Sequence, residues 1–187
     1  ESFDKLSKDH DLVIISDYGH GIITPKIAKH ISNSDKFVSL NAQINAANIG
    51  THNIRKYHDV NCLIINESEL RHELRQRDGN VEEMAVTLKN MVNSKYIAVT
   101  QGRDGAFLIN GDKANHRSPG FAAQVIDKIG SGDALLAILS VCLYNNLDEK
   151  LSLFIGSLAA GQSVETVGNS VPVSKTKLLK TISHLLK

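Results

Sequence analysis

The amino-acid sequence predicts an α/β fold with a doubly wound, mostly parallel sheet flanked by helices. Short apolar segments alternate with segments whose apolar residues recur at helical spacing, an order typical of parallel strands covered on both faces. The Asn110-Gly111 pair predicts a two-residue hairpin that adds antiparallel strands at one edge. The chain has 187 residues and is 42% hydrophobic, which suffices for one buried core but not for two. We therefore expect residues 1–187 to form one domain.

The predicted strands and helices follow one another regularly along the chain. Strands are expected where continuous apolar runs occur, at residues 11–16, 36–41, 60–66, 96–100 and 106–110. Helices are expected where apolar residues recur at i, i+3 and i+4, at residues 25–31, 67–77, 81–93 and in three segments from Ser131 onward. Because ligands bind beyond the carboxyl ends of strands in such sheets, we expect the chemistry in loops that directly follow strands.

Composition and charge argue against several classes of protein. Lys and Arg total 21 against 20 for Asp and Glu, so the net charge of +1 gives no electrostatic basis for binding nucleic acid. Cys62 and Cys142 lie in apolar runs, which predicts buried thiols rather than a disulfide or metal framework. No apolar run reaches the length of a membrane-spanning helix, so we expect a cytoplasmic protein that does not bind membranes. The chain begins at Glu1 in a charged segment, and we interpret it as a fragment of a longer protein.

The segment DKIGSGD, from Asp127 to Asp133, carries the strongest chemical signal, because an apolar helix begins directly after it. Gly130 and Gly132 allow a tight turn that exposes backbone N–H groups at the helix N-terminus, where the helix dipole favours an anion such as a phosphoryl group. Asp133 would stand beside that anion as a base for an attacking hydroxyl. The alternative is that Ser131 or Asp133 only caps the helix.

The segment NESE, residues 66–69, follows the third predicted strand. Its oxygen atoms are suited to positioning a hydrated Mg²⁺ ion and nucleotide phosphates. Asn66, with Glu69 three residues later, also has the form of a capping box, which needs no ligand. Both interpretations stay open on the sequence alone.

The segment TQGRDGAF, residues 100–107, predicts a strand, a glycine turn and a second strand. Gly102 and Gly105 would let a nucleotide approach the backbone, with Arg103 near its phosphates. A plain hairpin explains the same residues without a ligand. The segment DYGHG, residues 17–21, follows the first predicted strand, where either a simple turn or a ligand contact is expected.

In this order, the motifs DYGHG, NESE, TQGRDG and DKIGSGD resemble those of the ribokinase-like (PfkB) carbohydrate kinases. That family shows N-x-x-E, T-x-G-x-x-G and D-T-x-G-A-G-D in the same order, and the resemblance runs from Asp11 to Gly168. Within the family, DYGHG and NESE are most similar to the bacterial kinases of D-glycero-D-manno-heptose 7-phosphate. The chain departs from the family pattern at a few places, namely His20, residues 41–50 (NAQINAANIG), Lys128, Ile129 and Ser131.

The resemblance implies an ATP- and Mg²⁺-dependent kinase that phosphorylates a hydroxyl of a sugar or sugar phosphate. Asp133 would be its catalytic base, and Gly130, Ser131 and Gly132 would form its anion hole. Together with the motifs above, it predicts cofactor-binding residues at Asn66, Glu67, Ser68, Glu69, Thr100, Gly102, Arg103, Gly105 and Asp127. Glu69 and Asp127 would also lie at the metal. The family's N-terminal portion, with its lid and much of the sugar site, would be missing, and the resemblance admits a homodimer and a nucleotidyltransferase domain fused to the kinase in the full-length protein.

Two functions other than a kinase make different demands on these residues. A noncatalytic nucleotide-binding domain with a kinase fold would keep the glycines but would not require Asp133 or residues 66–69. A dinucleotide-binding oxidoreductase would need G-x-G-x-x-G after an early strand, which residues 17–21 do not supply. Among kinases, heptose phosphate, ribose, fructose and a nucleoside stay open as acceptors.

Overall fold

The computed structural model describes residues 2–43, 54–122 and 124–185 of the chain. The strands are β1 (Leu12–Asp17), β2 (Phe37–Ala42), β3 (Cys62–Asn66), β4 (Tyr96–Thr100), β5 (Ala106–Ile109) and β6 (Ala114–Ser118). The helices are α1 (Ser2–Ser7), α2 (Pro25–Ser32), α3 (Glu67–Leu74), α4 (Val81–Met91), α5 (Ser131–Tyr144), α6 (Glu149–Ser163) and α7 (Lys175–Leu185). Strands alternate with helices as far as β6, and helices alone follow it.

The six strands form one sheet in the same order as in the sequence. β1 to β4 are parallel neighbours, and β5 and β6 extend the sheet in antiparallel fashion beyond β4. The parallel strands therefore all end at one edge of the sheet, with Asp17, Ala42, Asn66 and Thr100 as their last residues. We call this the carboxyl edge. The predicted doubly wound, mostly parallel α/β fold is confirmed.

Alternating side chains of the strands build a core on each face of the sheet. In β3, Leu63 and Ile65 join a buried cluster with residues of α2, α3 and α4, whereas Cys62 and Ile64 join a second cluster with α5 and α6. The two-residue period of a strand explains this division. All four side chains are at most 1% exposed, so the continuous apolar run is a strand buried on both faces, as predicted.

The β5–β6 connection differs from the predicted two-residue turn. Ile109 pairs with Ala114, so the loop comprises residues 110–113, and the register shifts between Leu108 and Ile109. A type I′ turn, which Asn-Gly favours, needs a positive φ at both central residues. Gly111 has φ 145°, but Asn110 is not among the described residues with positive φ. The pair therefore lies in a wider, irregular loop.

The helices begin close to their predicted positions, and two end earlier. Thr24 caps α2 by accepting a hydrogen bond from the Ile27 amide, with Pro25 as the first helical residue. α3 ends at Leu74 instead of residue 77, because Arg75 adopts a left-handed conformation with φ 55°. The charged N-terminal segment forms α1, which no sequence pattern had predicted. No helix in the described ranges combines the length and apolar character needed to cross a membrane.

Candidate active site

α5 begins at the carboxyl edge with a glycine in place of a side-chain cap. Gly130 is the N-cap residue, and its φ of 81° is a left-handed conformation that glycine adopts without steric cost. The amide and hydroxyl of Ser131 donate to the Lys128 carbonyl, at 3.4 and 3.0 Å. Within the described chain, neither Ser131 nor Asp133 accepts a hydrogen bond from an α5 amide, so the cap considered from the sequence is not formed.

Two backbone amides at this helix start are open. Among the described residues, no group accepts a hydrogen bond from the N–H of Gly132 or of Asp133. A Cβ at Gly132 would meet no atom of the described residues within 4 Å, so they leave the space beside it unfilled. Open amides and the helix dipole together attract an anion. This geometry suits the predicted phosphoryl site, and the binding of a phosphoryl group there stays a prediction.

The Asp133 carboxylate faces the end of β1. Its Oδ1 accepts a hydrogen bond from the Ser16 hydroxyl at 2.8 Å, and its Oδ2 accepts one from the Tyr18 hydroxyl at 3.2 Å. A general base needs its target hydroxyl at roughly 2.6–3.2 Å. The carboxylate therefore lies at the carboxyl edge, within reach of hydroxyl groups and beside the open amides.

Asp127 anchors the loop that leads into α5. Its Oδ1 accepts the Ile129 amide at 3.0 Å, and its Oδ2 accepts the Gly168 amide at 2.9 Å. These hydrogen bonds, first that from Ile129, hold the pKa of Asp127 below its ordinary value. The carboxylate thus ties the loop to the short 3₁₀ turn Val167–Asn169. Its predicted place at the cofactor and metal stays a prediction.

A cleft of about 650 Å³ opens beside the start of α5. Small-molecule sites usually measure roughly 300–1,000 Å³. Its apolar walls include Ala106, Pro119, Phe121, Val125, Leu135, Ala160 and Val164. Of the predicted site residues, those that line it are Thr100, Gly102, Arg103, Gly105 and Ser131. The structure therefore brings the TQGRDG and DKIGSGD motifs to one cleft.

The two glycines of the β4–β5 turn are required for different reasons. At Gly105, with φ 90°, a Cβ would collide with the backbone of Ser118 and Pro119, so the fold itself needs glycine. At Gly102, with φ 60°, a Cβ would meet nothing within 4 Å. Of these two cleft-lining glycines, only Gly102 therefore has open space beside it among the described residues.

α3 begins at the carboxyl edge with a complete side-chain cap. Asn66 Oδ1 accepts the Glu69 amide at 2.8 Å, and Glu69 Oε2 accepts the Asn66 amide at 3.1 Å. This is the capping box considered from the sequence. Glu69 is buried, whereas Ser68 lies exposed on the first turn. The cap holds Asn66 and Glu69 at the carboxyl edge.

Glu67 connects α3 to the turn that follows β4. Its Oε2 accepts a hydrogen bond from Gln101 Nε2 at 2.9 Å, and its Oε1 accepts two from the Arg71 guanidinium, at 2.8 and 3.0 Å. The Gln101 bond and then the Arg71 bonds hold the pKa of Glu67 below its usual range. The NESE and TQGRDG motifs are thus joined directly.

The described side chains do not by themselves form a metal site. In the part that the structure describes, no group of three or more His, Cys, Asp or Glu residues could hold one. Mg²⁺ usually keeps several waters and binds through one or two carboxylates together with substrate phosphates. Glu69 and Asp127 have the carboxylates for this second mode, and their contact with Mg²⁺ stays a prediction.

At the end of β1, neighbouring side chains face opposite sides of the sheet. Ser16 and Tyr18 face α5, whereas Asp17 between them is buried and bonds Lys56 at 2.6 Å and Tyr57 at 2.7 Å. Sequence reasoning singled out the DYGHG turn but missed these partners. The two-residue period of a strand would have placed Ser16 on the same face as Tyr18. No local signal would have found Lys56 and Tyr57.

Sequence reasoning also missed the cleft residues between β6 and α5. Gly120 and Gln124 line the cleft in addition to its apolar walls and to Lys128 of the DKIGSGD motif. They come from an irregular segment, in which neither helix nor strand periodicity predicts the direction of a side chain. Residues 44–50, in the segment that departs from the family pattern, lie outside the described residues.

Comparison with known proteins agrees with this arrangement of motifs. A family model described as pfkB family carbohydrate kinase matches residues 26–176. The chain is 29% identical over 185 residues to the bifunctional protein HldE of Campylobacter jejuni (strain RM1221), covering 97% of the chain and 39% of that protein. It is 27% identical over 176 residues to HldE of Koribacter versatilis, covering 92% of the chain and 35% of that protein. The chain thus spans about two-fifths of the length of the curated relatives it matches.

Solved structures share the fold. Ribokinase from Thermotoga maritima superposes with a TM-score of 0.77 at 18% identity, covering 98% of this chain and 60% of that one. Phosphofructokinase-2 from Escherichia coli gives a TM-score of 0.77 at 15% identity, covering 100% of this chain and 62% of that one. At such identities the likeness establishes the fold alone. Because the family model matches most of the chain, including three of the four motifs, the chain belongs to the pfkB family of carbohydrate kinases.

Proposed function

We propose that the full-length protein transfers the γ-phosphoryl group of ATP to a hydroxyl of a sugar or sugar phosphate, with Asp133 as the catalytic base. The observation that carries the proposal is the Asp133 carboxylate, which lies beside the open amides of α5 and accepts hydrogen bonds from Ser16 and Tyr18 at the carboxyl edge. Phosphoryl transfer to an alcohol needs a base within reach of a hydroxyl and a site for the charged group. The carboxylate and the open amides at the start of α5 support the assignment of these two roles to this place.

The cleft beside α5 fits a nucleotide. Its apolar walls suit a base and its volume suits a small molecule, while Arg103 and Lys128 add positive charge for phosphates. When bound, ATP supplies the phosphoryl group and Mg²⁺ offsets its negative charge. We assign the orientation of the hydrated metal and phosphates to Asn66, Glu67, Ser68, Glu69 and Asp127.

The residues of this chain then divide the reaction among them. Asp133 accepts the proton of the acceptor hydroxyl as that oxygen forms its bond to phosphorus and the bond to the ADP oxygen breaks. The open amides of Gly132 and Asp133 donate hydrogen bonds to the group in transfer and stabilise its charge. Asp127 keeps those amides in place through its bonds to Ile129 and Gly168.

For the acceptor we propose D-glycero-D-manno-heptose 7-phosphate. The resemblance of DYGHG and NESE to kinases of that sugar supports this choice, as does the similarity to HldE proteins. HldE is named as bifunctional, and the chain covers 39% of the first relative. We therefore also propose that the full-length protein carries a nucleotidyltransferase domain. The cytoplasmic location expected from the sequence is part of the same proposal.

The test is a substrate panel with the full-length protein, ATP and Mg²⁺. The acceptors are D-glycero-D-manno-heptose 7-phosphate, ribose, fructose and a nucleoside, with ADP release and product mass as readouts. We expect the heptose phosphate to show the highest kcat/KM. A higher value for another sugar would overturn the acceptor alone. Nucleotide binding without transfer to any acceptor would indicate a noncatalytic domain.

A further inference from the structure

Both oxygens of the Asp133 carboxylate are held by hydroxyl groups from the end of β1. Ser16 donates to Oδ1 at 2.8 Å and Tyr18 donates to Oδ2 at 3.2 Å. The terminal torsion of an aspartate has a broad energy profile, so an unrestrained carboxylate turns readily. One donor on each oxygen fixes the plane of the group as well as its position.

The strand end that carries these hydroxyls is itself anchored from the opposite face of the sheet. Asp17 is 5% exposed and accepts hydrogen bonds from Tyr57 at 2.7 Å and from the Gly19 amide at 2.9 Å. Lys56 Nζ lies 2.6 Å from Asp17 and also donates to the Ile23 carbonyl at 2.7 Å. Lys56 thus contacts Asp17, where the turn after β1 begins, and Ile23, near its end, and so bridges the turn. We call Asp17, Lys56 and Tyr57 the anchor cluster.

The charge state of the anchor cluster supports this role. Burial alone would raise the pKa of Asp17, but the hydrogen bonds from Lys56, Tyr57 and Gly19 outweigh burial and hold that pKa below its ordinary value. Asp17 is therefore ionised at neutral pH and pairs with the Lys56 ammonium. An ion pair with these additional hydrogen bonds keeps a defined geometry.

Building on the proposed function, we propose that Ser16 and Tyr18 are positioning residues that orient the Asp133 carboxylate toward the acceptor hydroxyl, and that the anchor cluster holds the strand end from which they act. Each carboxylate oxygen has a second lone pair, so an acceptor hydroxyl still finds a site on Asp133. Orientation matters because a displacement of about 1 Å at a reacting group can cost roughly 10²-fold in rate.

The first test removes each hydroxyl separately in the full-length protein. We expect Ser16→Ala and Tyr18→Phe each to lower kcat by about tenfold, through loss of orientation, with the KM for ATP and the melting temperature unchanged. Ser16→Thr keeps a hydroxyl at the same position and should restore most of kcat. A wild-type kcat in both variants would overturn the proposal. A higher kcat in Tyr18→Phe would also overturn it, because Tyr18 would then compete with the acceptor.

Matched controls are available among residues that do not contact Asp133. Tyr144 ends α5 at the opposite end of the helix from Asp133, so Tyr144→Phe makes the same chemical change without touching the carboxylate. Ser183 is exposed on α7, so Ser183→Ala matches the serine change. Both controls should keep the wild-type kcat. An equal loss of kcat in a control and in its partner variant would overturn a specific action on Asp133.

A double-mutant cycle then tests whether the hydroxyls act through Asp133. In an Asp133→Ala background, Ser16→Ala and Tyr18→Phe should lower the residual single-turnover rate no further. A further tenfold loss in that background would overturn action through Asp133. The proposed function has a separate test: a wild-type rate in Asp133→Ala would contradict it. If Asp133→Ala abolishes the rate but the two hydroxyl variants leave it unchanged, only the positioning role of Ser16 and Tyr18 is contradicted.

Discussion

α3 and α5 both begin at the carboxyl edge of the sheet, but they treat their first backbone amides in opposite ways. At α3, Asn66 and Glu69 satisfy each other's amides in a capping box. At α5, Gly130 has no side chain to offer, and the amides of Gly132 and Asp133 lack an acceptor among the described residues. One helix start is closed by its own side chains, and the other is open.

The contrast is sharpest at the third residue of each helix, which is acidic in both. Glu69 turns back to the amide of its N-cap residue, whereas Asp133 faces β1. A capping box uses Glu or Gln, and Asp is one methylene shorter. The Asp133 carboxylate lies instead at the carboxyl edge, where it accepts hydrogen bonds from Ser16 and Tyr18. The two acids therefore differ in what they contact, since Glu69 caps its own helix and Asp133 contacts the end of β1.

The largest expected effect tests the open helix directly. Asp133→Asn should lower kcat by roughly 10²–10⁴-fold, the usual contribution of a positioned base. Nucleotide affinity should change little, because the anion site consists of backbone amides. An acid that only supports the helix would cost about 0.3–1 kcal/mol of stability and leave the rate intact. Steady-state kinetics with a thermal melt of the full-length protein distinguishes these outcomes.

The second prediction asks whether the space beside the open amides serves a ligand. Gly132→Ala meets no protein atom within 4 Å, and Ala favours a helix over Gly by up to about 1 kcal/mol, so the fold should be at least as stable. Turnover should nevertheless fall roughly 10²-fold, because the methyl group displaces the group in transfer.

The control for Gly132→Ala is a glycine with a structural role. A Cβ at Gly156 would lie 2.8 Å from Leu135 Cδ1, so Gly156→Ala should lower the melting temperature. If Gly132→Ala leaves both turnover and stability unchanged, the group in transfer does not occupy the space beside Gly132.

The third prediction concerns the closed helix and the metal. Glu69→Gln keeps the form of the capping box, so stability should change little. If the carboxylate orients the hydrated Mg²⁺, the half-saturating Mg²⁺ concentration of the full-length protein should rise about tenfold or more. Asn66→Ala is the comparison, since loss of the cap costs about 1 kcal/mol of stability. An unchanged Mg²⁺ dependence in Glu69→Gln would leave α3 with a structural start only.

The smallest expected effect is a pH dependence at the start of α3. The pKa of Glu67 is lowered in the folded state, so its stabilisation is present above the unfolded value of about 4.3 and is lost as the pH falls through the folded value. Glu67→Gln should cost about 0.5 kcal/mol at pH 7, and the difference from the wild type should vanish in acid. Urea unfolding at both pH values measures this. An equal cost at both would indicate loss of packing instead of charge.

The fold could be predicted almost entirely from local patterns. The run NCLII predicts β3 because all of its side chains are apolar, and both faces of the sheet need such residues. The exceptions have physical reasons. The Asn110-Gly111 loop is wider than predicted because the register of β5 and β6 also constrains its conformation, in addition to the turn residues. α1 lies in a charged segment without apolar periodicity, so no pattern predicts it.

The candidate site could be predicted only in part. The glycine turns and the acids at both helix starts were evident, because such residues act on the backbone within a few positions. Whether NESE forms a cap was undecided until the structure placed Glu69 Oε2 on the Asn66 amide. Six cleft residues escaped prediction, since an irregular segment takes its course from the surfaces around it: Pro119, Gly120, Phe121, Ala122, Gln124 and Val125.

The sequence by itself therefore determined the order of the elements, the glycine start of α5 and the presence of Asp133 in its first turn. Only the tertiary structure decided what that carboxylate contacts. Asp133 meets Ser16 and Tyr18 across 117 and 115 residues of chain, and Asp17 meets Tyr57 across 40. Periodicity and helix-start preferences act between near neighbours, whereas these contacts arise when α5 packs across β1 and the sheet brings the strand ends to one edge.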